Sequence, residues 1–357
     1  MKSPCFTVVM PVYNRENHLE KSINSVLNQT ISDLELIVVD DRSSDNSFYI
    51  AKEISEKDRR VTIIKNKHKK GVSGARNTAI DIMKGKYLAF LDSDDEWDSS
   101  FLECMYKMLN ETSCDVGISL WKESLCSGEV FNVYSSDFAR KKYDKAMQAI
   151  QPEKKGMYYI FNNNLYEYVL KESFYFGHIN TTVLKTEQIS KAGNFDETLR
   201  TNEDIDFITR LLQVSKVSFS ASYLYIHEQG DDNLYNFEER SEDNYLKIAK
   251  NGKAISKFNK SDRSKIKMYK KRIKLIKKSS DLKDKKACLL HCRDRIGRKY
   301  FTLGLINQFE HKLFSVFCIF MSLFYDCHII RIKVLLSILN PFSKVNYDIS
   351  KSELYLS

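Results

Sequence analysis

No stretch of this 357-residue chain has the order of a secretory signal: a charged start, an apolar core and small residues. An intracellular product is therefore expected. Nor does any apolar run reach the roughly twenty residues that cross a bilayer. Leu313 to Tyr325 is mostly apolar but too short, and Ile329 to Leu339 is interrupted by Arg331 and Lys333. Neither an internal repeat nor a low-complexity linker breaks the chain. Its length then suits one large or two smaller domains with a real core. The eight cysteines (Cys5, Cys104, Cys114, Cys126, Cys288, Cys292, Cys318, Cys327) are scattered, which predicts reduced thiols. Cys288, His291 and Cys292 share a helix face, but no fourth ligand accompanies them, and closed zinc sites need four.

The net charge of +9 is unevenly spread. Between Lys260 and Lys278 there are ten Lys or Arg and one Asp. Such a run suits nucleic acid, anionic lipid or a phosphorylated acceptor. A nucleic-acid surface interleaves aromatics with its bases, and only Tyr269 does so here, so no nucleic acid is expected.

Phe6 to Val12 reads as a strand entering a turn at Pro11, and Asn14-Arg15-Glu16 opens a helix with Leu19, Ile23, Val26 and Leu27 on one face. Leu34 to Val39 is a second strand and ends in Asp40-Asp41. Ser43, Ser44 and Asp45 precede a second helix as capping candidates. Val61 to Ile64 is a third strand, and Gly71-Val72-Ser73-Gly74 turns into a third helix. Tyr87 to Leu91 is a fourth strand. The alternation predicts parallel crossovers and an open sheet covered by helices on both faces. Later strands are expected at Val116 to Leu120, Val130 to Val133 and Val217 to Tyr225, and a helix from Glu203. Asp137 to Glu172 follows no period, and Phe174 to Leu184 is strand-like or irregular.

The fourth strand ends in Asp92, Asp94, Asp95, Glu96 and Asp98. Clustered carboxylates at one strand end call for a cation, and hard ions such as Mg²⁺ and Mn²⁺ choose carboxylate and phosphate oxygens. Ligands bind beyond the carboxyl ends of strands in open α/β sheets. A metal site holding a diphosphate is the first reading; an acidic solvated loop is the plainer one.

Four stretches now align in order: Val9 to Asn14, Ile37 to Asp45, Gly71 to Asn77 and Phe90 to Asp95. Weaker matches follow at Gly193 to Glu197 and Asn202 to Asp204. Together these resemble the inverting, nucleotide-sugar-dependent glycosyltransferases of family 2, with the fold called GT-A. The resemblance implies a Rossmann-like, open, mostly parallel α/β sheet, followed here by a C-terminal helical region. It implies transfer from a nucleotide sugar, a UDP-sugar first, to a hydroxyl of a glycan or lipid-linked oligosaccharide. Bacterial surface-polysaccharide assembly is the setting.

By the same resemblance Pro11, Val12, Tyr13, Asn14, Glu16 and Asp41 hold the nucleoside, and Arg76 meets phosphate near a helix N-terminus. Asp92-Ser93-Asp94 is the family's Asp-X-Asp motif. Asp94 is then the direct ligand of Mn²⁺ or Mg²⁺, with Asp92 near the ribose or metal and Ser93 beside them. Asp204 is the general base and Glu203 supports the acceptor. His227 is placed near the diphosphate and metal, although the Arg-rich form of that stretch is absent. Trp97 is an acceptor platform or a core residue. For Asp41, Arg76, Glu203 and Asp204 the plainer readings are a turn, a salt bridge and a helix's first-turn acids. A nucleotidyltransferase would need a glycine- and lysine-rich phosphate loop that is missing; a non-catalytic sugar-nucleotide binder would not need Asp92, Asp94 and Asp204 all intact.

The expected divisions are a nucleotide-sugar half (1–110), an acceptor half (111–235) and a basic helical region (236–357). The last either lies on the inner face of the cell membrane or packs as a helical domain or homodimer interface.

Overall fold

The computed structural model of the protein describes residues 3–125, 127–162, 164–228, 252–307, 311–326 and 329–339. Expectations placed on Cys126, Cys327 and the boundary at 235/236 lie outside these residues. The chain divides into two compact units. One is built from 1–169, 173–198 and 203–230, the other from 170–172, 199–202 and 231–357.

The first unit begins β1 (Phe6–Val12), α1 (Leu19–Leu27), β2 (Leu34–Asp40), α2 (Ser47–Lys57), β3 (Val61–Lys65), α3 (Val72–Ile80) and β4 (Tyr87–Phe90). All seven residues of β1 are buried, as a strand covered on both faces demands. β1 pairs in parallel with β2 and β4, and β2 with β3. The chain therefore moves outward from β1 to β3, then returns across β1 to β4. That reversal leaves a crevice beyond the carboxyl ends of β1 and β4.

Then come β5 (Glu96–Trp97), α4 (Phe101–Thr112), β6 (Val116–Ser124), β7 (Val130–Asn132), α5 (Asp137–Ile150), β8 (Glu153–Lys155), β9 (Tyr158–Phe161), α6 (Asn164–Glu172), β10 (Thr182–Lys185), α7 (Gln188–Ala192), α8 (Glu203–Val214) and β11 (Val217–Glu228). Among the described residues one sheet runs β3-β2-β1-β4-β10-β6-β11-β9-β8. β10 is antiparallel to both neighbours, and β11 is parallel to β6. Asp137 to Glu172, unassigned from sequence, is helix, hairpin, helix. It lacked a period because little of it is buried: α5 buries only Ala146 and Ile150, and β8 is wholly exposed.

The second unit contains α9 (Gly252–Lys278), α10 (Lys285–Ile306), α11 (Lys312–Tyr325) and α12 (Ile329–Leu339). Asp284 caps α10 by accepting the Ala287 N–H at 2.9 Å. Cys288 and Cys292 are buried in α10, and the six described cysteines are free thiols. Among the described residues no helix is long and apolar enough to cross a membrane.

Candidate active site

Two loops meet at the end of β1. The Asp41 N–H donates to the Val12 carbonyl at 2.8 Å. Asn14 takes a left-handed φ of 51°, which short polar side chains tolerate. Its amide donates to Ser43 Oγ at 3.1 Å, and its Oδ1 accepts the Ser44 N–H at 2.8 Å. Glu16 Oε2 accepts the Asn46 N–H, while the Glu16 N–H donates to Asp45. The β1–α1 turn is thus tied to the β2–α2 turn. Tyr13 stands half-exposed above this edge, with the Lys70 ammonium 4.5 Å from its ring centre. Asp41 is buried, and its two oxygens accept Asn66 Nδ2 at 2.6 Å and the Gly71 N–H at 2.7 Å. Gly71 has φ +133°, and a Cβ at Gly74 would stand 2.0 Å from the Lys69 carbonyl oxygen. Glycine is needed at both places for the turn into α3 to close on Asp41.

Beyond β4, three carboxylates part company. Asp92 accepts Arg76 Nη2 at 2.8 Å and Asn180 Nδ2 at 3.2 Å. Burial works against its charge, but Arg76, His178 and Asn180 together hold the carboxyl below its ordinary range. Asp94 faces Arg15 Nε at 3.2 Å. Burial and then the Asp92 charge push its carboxyl up, only partly relieved by Arg15. Asp95 is enclosed, accepting Tyr225 OH at 2.5 Å, Asn180 Nδ2 at 2.9 Å and the Glu228 N–H at 3.0 Å. Burial pushes its carboxyl well above the ordinary value.

The start of α8 brings Glu203 and Asp204 to this edge through Arg76. The Arg76 guanidinium is buried and donates to Glu203 Oε1 at 2.9 Å as well as to Asp92. Glu203 is pushed up first by burial and then by the Asp204 charge, against Arg76. Asp204 is half-buried; its Oδ1 accepts the Ile205 N–H at 2.8 Å, and burial raises its carboxyl too. The loop before α8 is anchored by Asn77, whose side chain accepts the Phe195 N–H at 3.0 Å and donates to Glu197 at 2.8 Å.

The family model for glycosyl transferase family 2 matches residues 7–169. An uncharacterized glycosyltransferase of Methanocaldococcus jannaschii is 30% identical over 263 residues, 72% of this chain and 79% of that protein. The chain belongs to glycosyltransferase family 2. An Escherichia coli β-1,3-glucosyltransferase, named for UDP-Glc and α-D-GlcNAc-diphosphoundecaprenol, is 45% identical over 103 residues, 29% of this chain and 40% of that protein. The chain spans 20–44% of the length of the first seven curated relatives it matches. Among solved structures, a mannosyltransferase of Pyrobaculum calidifontis, in complex with GDP-Man and Mn²⁺, superposes with a TM-score of 0.55 at 13% identity. That match covers 94% of this chain and 79% of the mannosyltransferase, and the fold is GT-A.

Pro11, Val12, Tyr13, Asn14, Glu16, Asp41, Asp92, Ser93 and Asp94 all lie at or just beyond the carboxyl ends of β1, β2 and β4. Three of the expected residues have partners that match their plainer readings. Arg76 is buried between Asp92 and Glu203 and pairs with both. Trp97 takes the core position that was its other reading. Its ring is buried and stacked on Phe101 at 4.3 Å, and its Nε1 donates to the Asn180 carbonyl at 2.7 Å. His227 Nδ1 is 2.8 Å from Glu123 Oε2, a bond that fixes the ring. Burial disfavours its charge, but Glu123, Asp95 and Asp94 raise it to about 9.

Among the described residues no group of three or more His, Cys, Asp or Glu is arranged to enclose a metal. Mg²⁺ and Mn²⁺ bound with a nucleotide need no such cage; one or two carboxylates and the phosphate oxygens suffice. Asp94 fits that open mode, because its accumulated negative charge is only partly offset by Arg15.

Sequence reasoning missed Asn180, Tyr225, Glu123 and His178. Asn180 donates to Asp92, Asp95 and Tyr225 OH, joining two carboxylates across one amide. The His178 ring lies 5.9 Å from that of Tyr225, and burial, then His227, lowers it to about 4. No local signal marks any of them.

Proposed function

We propose that this protein transfers a sugar from a nucleotide sugar, with UDP as the favoured nucleotide, to a hydroxyl of a glycan or lipid-linked acceptor, with inversion. The observation that carries this reading is one buried arginine joining two sites. Arg76 pairs with Asp92 at the end of β4 at 2.8 Å and with Glu203 at the start of α8 at 2.9 Å. The candidate donor carboxylates and the candidate base pair therefore share one edge.

The turn from Pro11 to Glu16 and Asp41 hold the nucleoside, and the exposed Tyr13 ring offers it a stacking face. Asp94, with Asp92 beside it, holds Mn²⁺ or Mg²⁺. When bound, the ion neutralises charge that develops on the departing diphosphate. Asp204 takes the proton of the acceptor hydroxyl as its oxygen attacks the anomeric carbon, and the bond to the diphosphate oxygen breaks. Glu203, held by Arg76, keeps the start of α8 facing that carbon. One base and no covalent intermediate invert the centre. The naming of one relative for an undecaprenol-linked substrate supports the lipid-linked acceptor.

The test is a panel of nucleotide sugars with Mn²⁺ and no acceptor, read by slow release of free sugar, followed by NMR of the anomeric proton in the product. Release of one sugar, and an inverted product once an acceptor is supplied, is expected. Binding without release or transfer from any member would favour a non-catalytic binder.

A further inference from the structure

Helix α11 wears its apolar face outward. Ser315, Cys318, Ile319 and Ser322 are buried, while Leu313, Phe317, Phe320 and Phe324 are 88, 53, 61 and 77% exposed. The spacing i, i+4, i+7, i+11 puts these four on one side, along about 16 Å of helix. Rolling the helix to hide them is blocked on the other side. Ser315 Oγ donates to the Gly304 carbonyl at 2.6 Å, and a Cβ at Gly304 would stand 2.4 Å from Ile319 Cγ1. Only small groups fit that seam. On α12, Leu336 and Leu339 are exposed as well. A contiguous apolar stripe of this kind marks an interaction surface rather than chance exposure.

Its surroundings are cationic. Residues 252–339 hold 22 Lys and Arg against six Asp and Glu. Lys253, Lys260, Arg263, Lys267 and Lys274 are exposed along α9. The Arg263 guanidinium lies 5.0 Å from the centre of the Phe314 ring of α11, beside exposed Lys312 and Leu313. Through this contact the basic face of α9 reaches the N-terminal end of α11, where the stripe begins at Leu313.

We infer that this face docks in the plane of an anionic lipid surface, with the α11 stripe among the acyl chains and Arg263 and Lys312 at the headgroups. A second copy of the chain is the weaker occupant, because it would bring two strongly positive faces together. The stripe is far too short to span a bilayer, which fixes the mode as peripheral. This inference is independent of sugar transfer.

The experiment is flotation of the full chain with vesicles of phosphatidylcholine alone or with 30% phosphatidylserine, at low and high salt. The wild type is expected to float with the anionic vesicles and to release as salt rises. Phe317→Ser with Phe320→Ser should lower the partition tenfold or more. Arg263→Glu with Lys312→Glu should lower it by about tenfold or more on anionic vesicles at low salt, since each cation is worth about fivefold. Leu313→Ser, at the most exposed position, serves if the double phenylalanine variant fails to fold by circular dichroism. No flotation of the wild type, or flotation untouched by these substitutions, would overturn the proposal. So would a dimer by sedimentation that the Phe317→Ser, Phe320→Ser variant dissociates, since a second copy would then cover the stripe.

Discussion

The carboxyl edge of the sheet and helix α11 break the usual partition in opposite directions. At the edge, Asp95, Glu203 and Arg76 are drawn inward, and each finds partners: Arg76 between two carboxylates, Asp95 beneath Tyr225 and Asn180. On α11 the phenylalanines face out and the serines face in. Buried charge costs stability unless it is paired, and exposed hydrocarbon forgoes burial. The first departure is the candidate site for a charged ligand; the second is the surface proposed to meet an apolar one. Asp94, like Asp92, is partly exposed, and its charge is only partly offset by Arg15. It is the polar group at the edge with most to gain from a cation.

The largest expected effect strikes that group. Asp94→Asn should cut transfer by about a thousandfold or more, the several kcal/mol that a metal contributes to a leaving diphosphate, and excess chelator should do the same to the wild type. Full activity in chelator would remove the metal from the account.

Asp204→Asn comes next. Turnover at saturating donor should fall by about a hundredfold or more while donor affinity holds. If affinity collapses and turnover stays, Asp204 binds rather than catalyses.

Arg76→Ala sharpens the contrast between paired and unpaired buried charge. It leaves Asp92 and Glu203 without their shared partner, so urea unfolding should show a loss of about 3–5 kcal/mol. A loss below about 1 kcal/mol would mean that the two carboxylates do not depend on it.

What could be read in advance follows from burial and from distance along the chain. β1 and β4 were legible because both faces of each are covered, so their sequences are almost wholly apolar, and that of β4 runs on to the acids. The acids of the edge were legible for the same reason. The Arg76 contacts were not: its partners lie 16 and 127 positions away, and only the folded sheet brings them together. Asn180 and Tyr225 reach Asp95 across 85 and 130 positions, on or beside strands β10 and β11 that join the parallel half from the far side of the sequence. Trp97 reads as an aromatic next to an acidic cluster, which fits a platform and a core residue equally. Only its stacking on Phe101 decides between them. Among the helices, α9 was legible as basic, whereas the outward turn of α11 depends on Gly304 and Ser315 fixing which side is buried.

The smallest effect belongs to His68, on the rim of the first unit. Its Nε2 is 2.7 Å from Asp81 and its Nδ1 2.9 Å from Glu197. The bond to Asp81 and the Glu197 charge raise the imidazole above 6.5 despite some burial. Glu197 is held below 4.5: burial opposes its charge, but bonds from Asn77 and the Lys69 N–H and the charge of His68 prevail. The histidine's contribution is complete below pH 6.5 and fades as pH rises through its folded value. That of the glutamate is complete above pH 4.5 and fades as pH falls. His68→Gln should therefore cost less than about 1 kcal/mol, with the cost seen below neutral pH and vanishing in alkali. Thermal melts at pH 5.5 and pH 9 would show it; an equal cost at both would assign His68 to packing.

The central claim is that the carboxyl edge of β1 and β4 is a metal-dependent nucleotide site, and calorimetry with UDP tests it most directly. Titrating UDP into the wild type with Mn²⁺, into the wild type with chelator, and into Asp94→Asn with Mn²⁺ separates the contributions. Saturable binding in the first case, weakened by tenfold or more in the other two, is the result predicted here. Equal affinity in all three would contradict it.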